Sequence, residues 1–262
     1  MVSIKSQEEI EIMAEGGKIL AGVMAELEKK IRPGIATKEL NELAEELIFK
    51  SGGKPSFKGY GGFPAALCTS INEEIVHAVP SERTLKEGDI VSLDLGLEYK
   101  GFHTDMARSL AVGIAGKEVL ELIKATKEAL SVGIREVRPG NTFGDIGYAI
   151  QKYVESKGFG VIRELCGHGI GKELHEDPQI LNYSSRAKSG KEGSALFDRG
   201  KIKEGMVLCL EPMVASGDWA IARTADRFGF RTKDGSLSCH FEDTVAVTKN
   251  GAKILTACPV RN

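Results

Sequence analysis

The sequence predicts an α+β fold of two pseudo-twofold-related halves, with an antiparallel sheet covered by helices. Three observations carry this. An amphipathic pattern over 7–31 ends at Arg32-Pro33-Gly34, and another over 117–137 ends at Arg138-Pro139-Gly140. Each is followed by a second helical pattern. Then Leu85-Lys86-Glu87-Gly88 leads into a strand ending Leu93-Asp94, just as Ile202-Lys203-Glu204-Gly205 leads into one ending Leu210-Glu211. Matching signatures in the same order make chance the weaker explanation. The half-repeats run over about 6–112 and 114–248, joined at Gly113-Ile114-Ala115-Gly116, in a single domain over 1–262.

The first helix carries Ile10, Met13, Gly17, Leu20, Met24, Leu27 and Ile31 at steps of three and four, which gives one buried face. The second runs from about Lys38 to Lys50, with Thr37 as N-cap and Gly52-Gly53 as the stop. Residues 89–105 read as a β-hairpin with its turn at Tyr99-Lys100, which places Asp94 directly opposite Asp105. The third helix repeats the spacing with Val119, Ile123, Thr126, Leu130, Gly133 and Val137. The fourth runs from Phe143 to Ser156 behind a capping box of Thr142 and Asp145. The stretch 178–203, with a polar run over 184–193, reads as an exposed loop.

Composition narrows the function. The chain has 262 residues, 42% apolar and 27% charged, as ordinary soluble globular proteins do. A net charge of -2 supplies no general pull toward nucleic acid or anionic membrane. No apolar run reaches the roughly 20 residues that span a bilayer. The start, MVSIKSQEEIEIM, lacks the basic and apolar regions of a signal peptide, so a cytoplasmic location is expected. The five cysteines are far apart without C-x-x-C, which favours reduced thiols over disulfides or a thiolate zinc site.

The chemistry concentrates in carboxylates at strand ends. Two facing aspartates in an apolar strand pair repel unless a cation or a shared proton neutralises them. The repeat adds Glu211, equivalent to Asp94, and Glu242 opens a strand as Asp105 does. Four such acids balance two divalent cations, and hard oxygen donors favour manganese, iron or cobalt, with zinc possible. His168 sits in Gly167-His168-Gly169-Ile170-Gly171, whose glycines permit close backbone approach. His77 and His175 are candidate donors to a developing oxyanion. His103, on the strand face of Asp105, and His240, two before Glu242, are given ordinary structural roles.

These residues carry a resemblance. Gly61-Gly62-Phe63-Pro64, Cys68-Thr69-Ser70-Ile71-Asn72-Glu73, the Asp94/Asp105 spacing, Gly167–Gly171 with His175, Glu211-Pro212-Met213 and Glu242 resemble type I methionine aminopeptidases over nearly the whole chain. The form resembled is the short one, without an N-terminal zinc-binding extension. The resemblance implies the "pita-bread" fold and removal of the initiator methionine from new polypeptides when the second residue is small. It implies that Asp105 and Glu242 bridge two divalent metals (cobalt, manganese, iron, zinc or nickel). His168 and Glu211 then complete one metal's ligands, and Asp94 holds the other. Glu211 is the implied proton shuttle. His77 and His175 position substrate and stabilise the tetrahedral intermediate. The implied methionine pocket is Tyr60, Phe63, Cys68, Leu174 and Phe228, although core packing alone would also account for these residues. A monovalent cation near Asn72 and Ser238 is further implied.

The implied partners are the N-termini of nascent chains and, transiently, the ribosome, with no specific nucleic-acid sequence, no membrane and a monomeric chain. Two departures stand out: a longer stretch between His175 and Glu211, and Leu174 where an aromatic is frequent. Relatives on the same fold that cleave before proline carry an added N-terminal domain. A binding protein that had lost its metals should lack at least one ligand, and all five are in place.

Overall fold

Ser6 and Glu9 start the first helix, α1 (Gln7–Glu28), by exchanging hydrogen bonds: the Glu9 amide donates to Ser6 Oγ and the Ser6 amide to Glu9 Oε2. The computed structural model describes residues 2–184 and 200–257. After α1 come α2 (Thr37–Lys50), β1 (Lys54–Pro55), β2 (Leu67–Ile71), β3 (Glu74–Val76), β4 (Ile90–Tyr99) and β5 (Phe102–Ala111). The second half begins with α3 (Lys117–Glu136) and α4 (Phe143–Ser156). Strands β6 (Gly160–Val161), β7 (Cys166–Gly169), β8 (Glu176–Leu181), β9 (Val207–Leu210) and β10 (Met213–Ala215) follow. The last are β11 (Ile221–Arg223), β12 (Phe230–Thr232), β13 (Ser238–His240), β14 (Glu242–Thr248) and β15 (Gly251–Ile254).

The main sheet runs β1-β4-β5-β14-β9-β7-β8, with β2 added to β4 and β15 to β14. Every ladder in it is antiparallel. Two small sheets, β13-β10-β6 and β11-β12-β3, flank it. Each half has its own core. In the first, Leu20, Met24, Leu40 and Ile48 pack on Leu67, Leu93 and Leu95. In the second, Leu122, Leu130, Ile146 and Ile150 pack on Leu208, Leu210 and Val245. Burying each such side chain contributes about 1.5–3 kcal/mol. The halves meet in the sheet where β5 pairs β14, through Glu242 opposite Ala107 and Asp243 opposite Met106. The predicted class and the duplicated, helix-covered antiparallel plan hold.

Four local expectations need correction. Helix α1 stops at Glu28, short of residue 31, because the chain turns there toward Gly34, which has φ 87°. Thr37 lies inside α2 and does not cap it. Its hydroxyl donates to Ser81 O and accepts from Ser81 N, while Glu39 takes the Ala36 amide. The β4–β5 turn is Lys100-Gly101, with φ 51° and 80°, because a two-residue loop of this hand needs positive φ at both positions and glycine supplies the second. Asp94 therefore faces Ala107 and Asp105 faces Gly96. The register moves by two, so both aspartates keep one face, a diagonal step apart.

The predicted loop is also narrower than 178–203. Pro178 to Leu181 belong to β8, Asn182 and Ser184 are buried, and Ile202 packs in the second core. Residues 185–199, which hold most of the polar run, lie outside the described residues.

Candidate active site

Two adjacent rows across the sheet assemble the polar centre. The first row is Cys68, Asp94, Ala107 and Glu242, each beside the next on β2, β4, β5 and β14. Glu211 follows directly after β9, next to the Asp243–Leu210 pair. The second row begins with Gly96 opposite Asp105. The Asp105 amide donates to Thr244 Oγ1 (2.9 Å), and that hydroxyl donates back to Asp105 O (2.8 Å). Thr244 faces Cys209, which in turn faces His168. The rows are two residues apart, so their side chains share a face. Alanine at 107 leaves open the space between Asp94 and Glu242.

The structure thus brings together all five residues of the expected ligand set. Asp94, Asp105 and Glu242 each offer an oxygen within 4.8 Å of the others. His168 Nε2 lies 3.5 Å from Glu211 Oε1. The glycines around His168 are required by close approach: a Cβ on Gly167 would meet Cys209 O at 2.3 Å, and one on Gly169 would meet Asp177 O at 2.2 Å. From behind, the Arg108 guanidinium pairs with Asp243 (2.6 Å) and donates to the Glu242 and Ala107 carbonyls, which fixes the start of β14.

The centre gathers more carboxyl groups than the protein around it can pair. Asp94 Oδ1, Asp105 Oδ1 and Glu242 Oε1 are buried and accept no hydrogen bond among the described residues. Burial, then the charge of Asp105, pushes the Asp94 carboxyl well above its ordinary value. Burial raises Asp105 to about 7. Glu211 and Glu242 are pushed well up by burial first and by neighbouring carboxylates second. Burial also pushes the Cys68 and Cys209 thiols up. A cluster of oxygen donors with one neutral imidazole suits divalent cations of the manganese, iron and cobalt kind. The residues fit that group: the unpartnered oxygens would be the ligands.

A cleft of about 380 Å³ opens over this floor. Tyr60, Phe63, Cys68, Leu174 and Phe228 all line it, with His77 and His175. Phe63 and Phe228 meet edge to face at 5.5 Å, and Cys68 packs with them and faces Asp94 across the β2–β4 pair. His175 stacks edge-on against His168 at 4.4 Å, and its Nδ1 is 2.8 Å from Tyr60 Oη. His77 has φ 58°, a left-handed backbone that a non-glycine residue adopts rarely, and this turns its ring into the cleft beside Phe230. The ring is open to the cleft, but crowding by protein atoms, then His175, lowers its pKa to about 4. Burial likewise lowers His175. Both rings are neutral near pH 7.

Sequence reasoning missed part of the wall. Phe57, Arg223, Arg227 and Phe230 also line the cleft. They come from the β1 region and the β11–β12 hairpin, whose pairing with β3 has no local sequence signal. His240, expected in an ordinary structural role, faces the acids: its Nε2 lies 3.8 Å from Glu211 Oε2 and 4.0 Å from Glu242 Oε2. Its place two residues before Glu242 was the available signal. His103, by contrast, is tied to Ser56 Oγ at 2.8 Å.

Residues 11–249 match metallopeptidase family M24. The chain is 47% identical over 260 residues to a methionine aminopeptidase of Clostridium acetobutylicum, covering 98% of this chain and 100% of that protein. The crystal structure of a methionine aminopeptidase from Thermotoga maritima superposes with a TM-score of 0.91 at 43% identity, covering 98% of this chain and 99% of that one. A prolidase from Pyrococcus horikoshii is more distant, with a TM-score of 0.76 at 25% identity, and this chain covers 64% of it.

Proposed function

The chain belongs to metallopeptidase family M24, and from that premise we propose that it is a methionine aminopeptidase acting on the N-termini of nascent polypeptides. The observation that carries the reading is the floor of the cleft. Unpartnered buried carboxylates meet one imidazole there, directly beside an apolar pocket closed by aromatic rings. We read residues 1–262 as one catalytic unit of two half-repeats, about 6–112 and 114–248.

Asp94, Asp105, His168, Glu211 and Glu242 would hold two divalent ions. Such ions lower the pKa of water and polarise a carbonyl as Lewis acids. Tyr60, Phe63, Cys68, Leu174 and Phe228 receive the methionine side chain, and aromatic faces and a thiol suit a polarizable thioether. Glu211, next to the cleft, accepts a proton from the attacking water and delivers it to the leaving amine. With Tyr60 O–H donating to His175 Nδ1, the Nε2–H of His175 is left to donate toward the scissile carbonyl oxygen. His77, neutral and held by its strained backbone, does the same from the opposite wall. The buried, unpartnered Ser238 Oγ supports a monovalent cation near Asn72 and Ser238. We place the enzyme in the cytoplasm as a monomer that meets the ribosome transiently; no helix among the described residues is long and apolar enough to cross a membrane.

Metal-loaded protein mixed with a Met-Gly-X peptide should release free methionine, read by mass spectrometry. Cleavage only of Xaa-Pro peptides, or none with any of the five metals, would overturn the reading. A panel varying each position should show Met-Gly, Met-Ala and Met-Ser peptides cleaved and Met-Lys refused. The imidazole wall of His77 and His175 excludes bulk by steric clash, which can exceed the roughly 1–3 kcal/mol that one methylene is worth in an apolar pocket. Discrimination at the second residue should therefore be sharper than between methionine and norleucine. Equal rates for Met-Ala and Met-Lys, or faster release of leucine than methionine, would count against the pocket assignment.

His77→Ala and His175→Ala should each retain the metals and lose turnover. One oxyanion donor is worth about 2.7–4 kcal/mol, or roughly 10²–10³ in rate. Metal analysis beside the kinetics checks this, because loss of stoichiometric metal in either variant would reassign the residue to the ligand set.

A further inference from the structure

His240 lies behind the floor of the cleft and has no role in the reading above. It is 1% exposed and is not among the residues that line the cleft, so substrate does not reach it. Its backbone is clamped. The His240 amide donates to Ser109 Oγ (2.9 Å), that hydroxyl donates to His240 O (2.8 Å), and Ser92 Oγ lies 2.6 Å from Ser109 Oγ. Strand β13 is held against β10 through Met213 opposite His240. The ring is therefore fixed in place, yet neither Nδ1 nor Nε2 has a hydrogen-bond partner among the described residues. A buried polar nitrogen left unpaired calls for an explanation.

The groups that face Nε2 are Glu211 Oε2 at 3.8 Å and Glu242 Oε2 at 4.0 Å. These distances are too long for hydrogen bonds. They match two donor atoms that share one ion: ligands about 2.0–2.2 Å from a cation stand roughly 3–4 Å from each other. One ligand atom from each of Glu211, His240 and Glu242 lies within 4.8 Å of the other two. We propose that His240 Nε2 is itself a metal ligand, completing with Glu211 and Glu242 a divalent-cation position on the inner side of the site. A second imidazole beside that of His168 biases the centre toward iron, cobalt, nickel or zinc over the hard cations that oxygen donors alone suit.

The inference rests on the metal reading above, and the experiment separates the two. The full chain, labelled with ¹⁵N-histidine and stripped with chelator, is loaded with ¹¹³Cd(II), and ¹¹³Cd–¹⁵N couplings are counted by NMR. Two of the five histidines should couple, with His168→Gln removing one and His240→Gln the other. Cobalt affinity, measured by competition, should fall tenfold or more in His240→Gln. Cadmium bound with His168 as the one coupled ring would overturn the ligand assignment and leave the metal reading intact. No cadmium uptake at all would overturn both. The count in the unmutated chain decides the matter even if His240→Gln fails to fold.

Discussion

Asp94→Asn is expected to cut turnover about a thousandfold or more and to lower metal occupancy. A thousandfold loss is roughly 4 kcal/mol at 1.36 kcal/mol per decade, within what a Lewis-acid metal supplies. The argument begins with charge. Asp94 stands one strand from Ala107 and, across it, Glu242, and one diagonal step from Asp105. Its Oδ1 is buried and accepts no hydrogen bond among the described residues, so within the protein that oxygen has no work except to hold a cation. Asparagine keeps the shape and removes the charge that balances the ion. The fold should survive. Burial and the charge of Asp105 both oppose ionisation of Asp94 in the metal-free protein. Its removal should therefore leave the chelated variant at least as stable as the chelated parent. Loss of activity with an unchanged or raised melting temperature, and metal content below that of the parent, is the expected result. Full metal content with full activity would sink the reading of this centre.

Much of that centre was legible before the structure. The repeated helix and strand signatures pointed to equivalent positions, so Glu211 could be read from Asp94. The alternation of side chains along a strand then kept Asp94 and Asp105 on one face even though the turn was misplaced. That error had a specific source. A hairpin turn at Lys100-Gly101 depends on positive φ at both residues, and the glycine at 101 was the local clue. What could not be read was the pairing of distant segments. Ala107 lies between Asp94 and Glu242 only because β14 adds to β5 across the junction of the halves. Phe230 reaches the cleft only because β12 pairs β3. His240 shows the same limit: two residues from Glu242 in sequence, it owes its contact with Glu211 to β10 and β13 lying side by side.

The metal-free protein should lose stability as pH rises from 6.5 to 8.5, and divalent metal should reverse that loss. The sign follows from the displaced carboxyls. Asp94, Glu211 and Glu242 are held well above their ordinary values by burial and by one another, and Asp105 is raised to about 7 by burial. In that range the folded protein binds more protons than the unfolded chain, so the protonated centre is stable below the ordinary carboxyl range and is undone as pH climbs through the folded values. Each unit of displacement is worth about 1.4 kcal/mol. The histidines act in the opposite direction at lower pH. Burial depresses His77 to about 4 and His168 and His240 to about 3, so the unfolded chain binds their protons first and stability rises with pH up to the ordinary histidine value near 6.5. The two effects oppose each other until the unfolded histidines have lost their last protons, about a unit above 6.5, where the four carboxyls outweigh them. Above that the carboxyls and the raised Cys68 and Cys209 thiols act in the same direction. Divalent ions bind the ionised carboxylates of the folded state, so their affinity grows as protons leave. Thermal melts in chelator at pH 6.5 and 8.5 should therefore show a lower melting temperature at the higher pH. The increase produced by added manganese should be larger at pH 8.5 than at 6.5. A chelated melting temperature that is flat or rises over this interval would mean that the four carboxyls are not crowded as the structure places them.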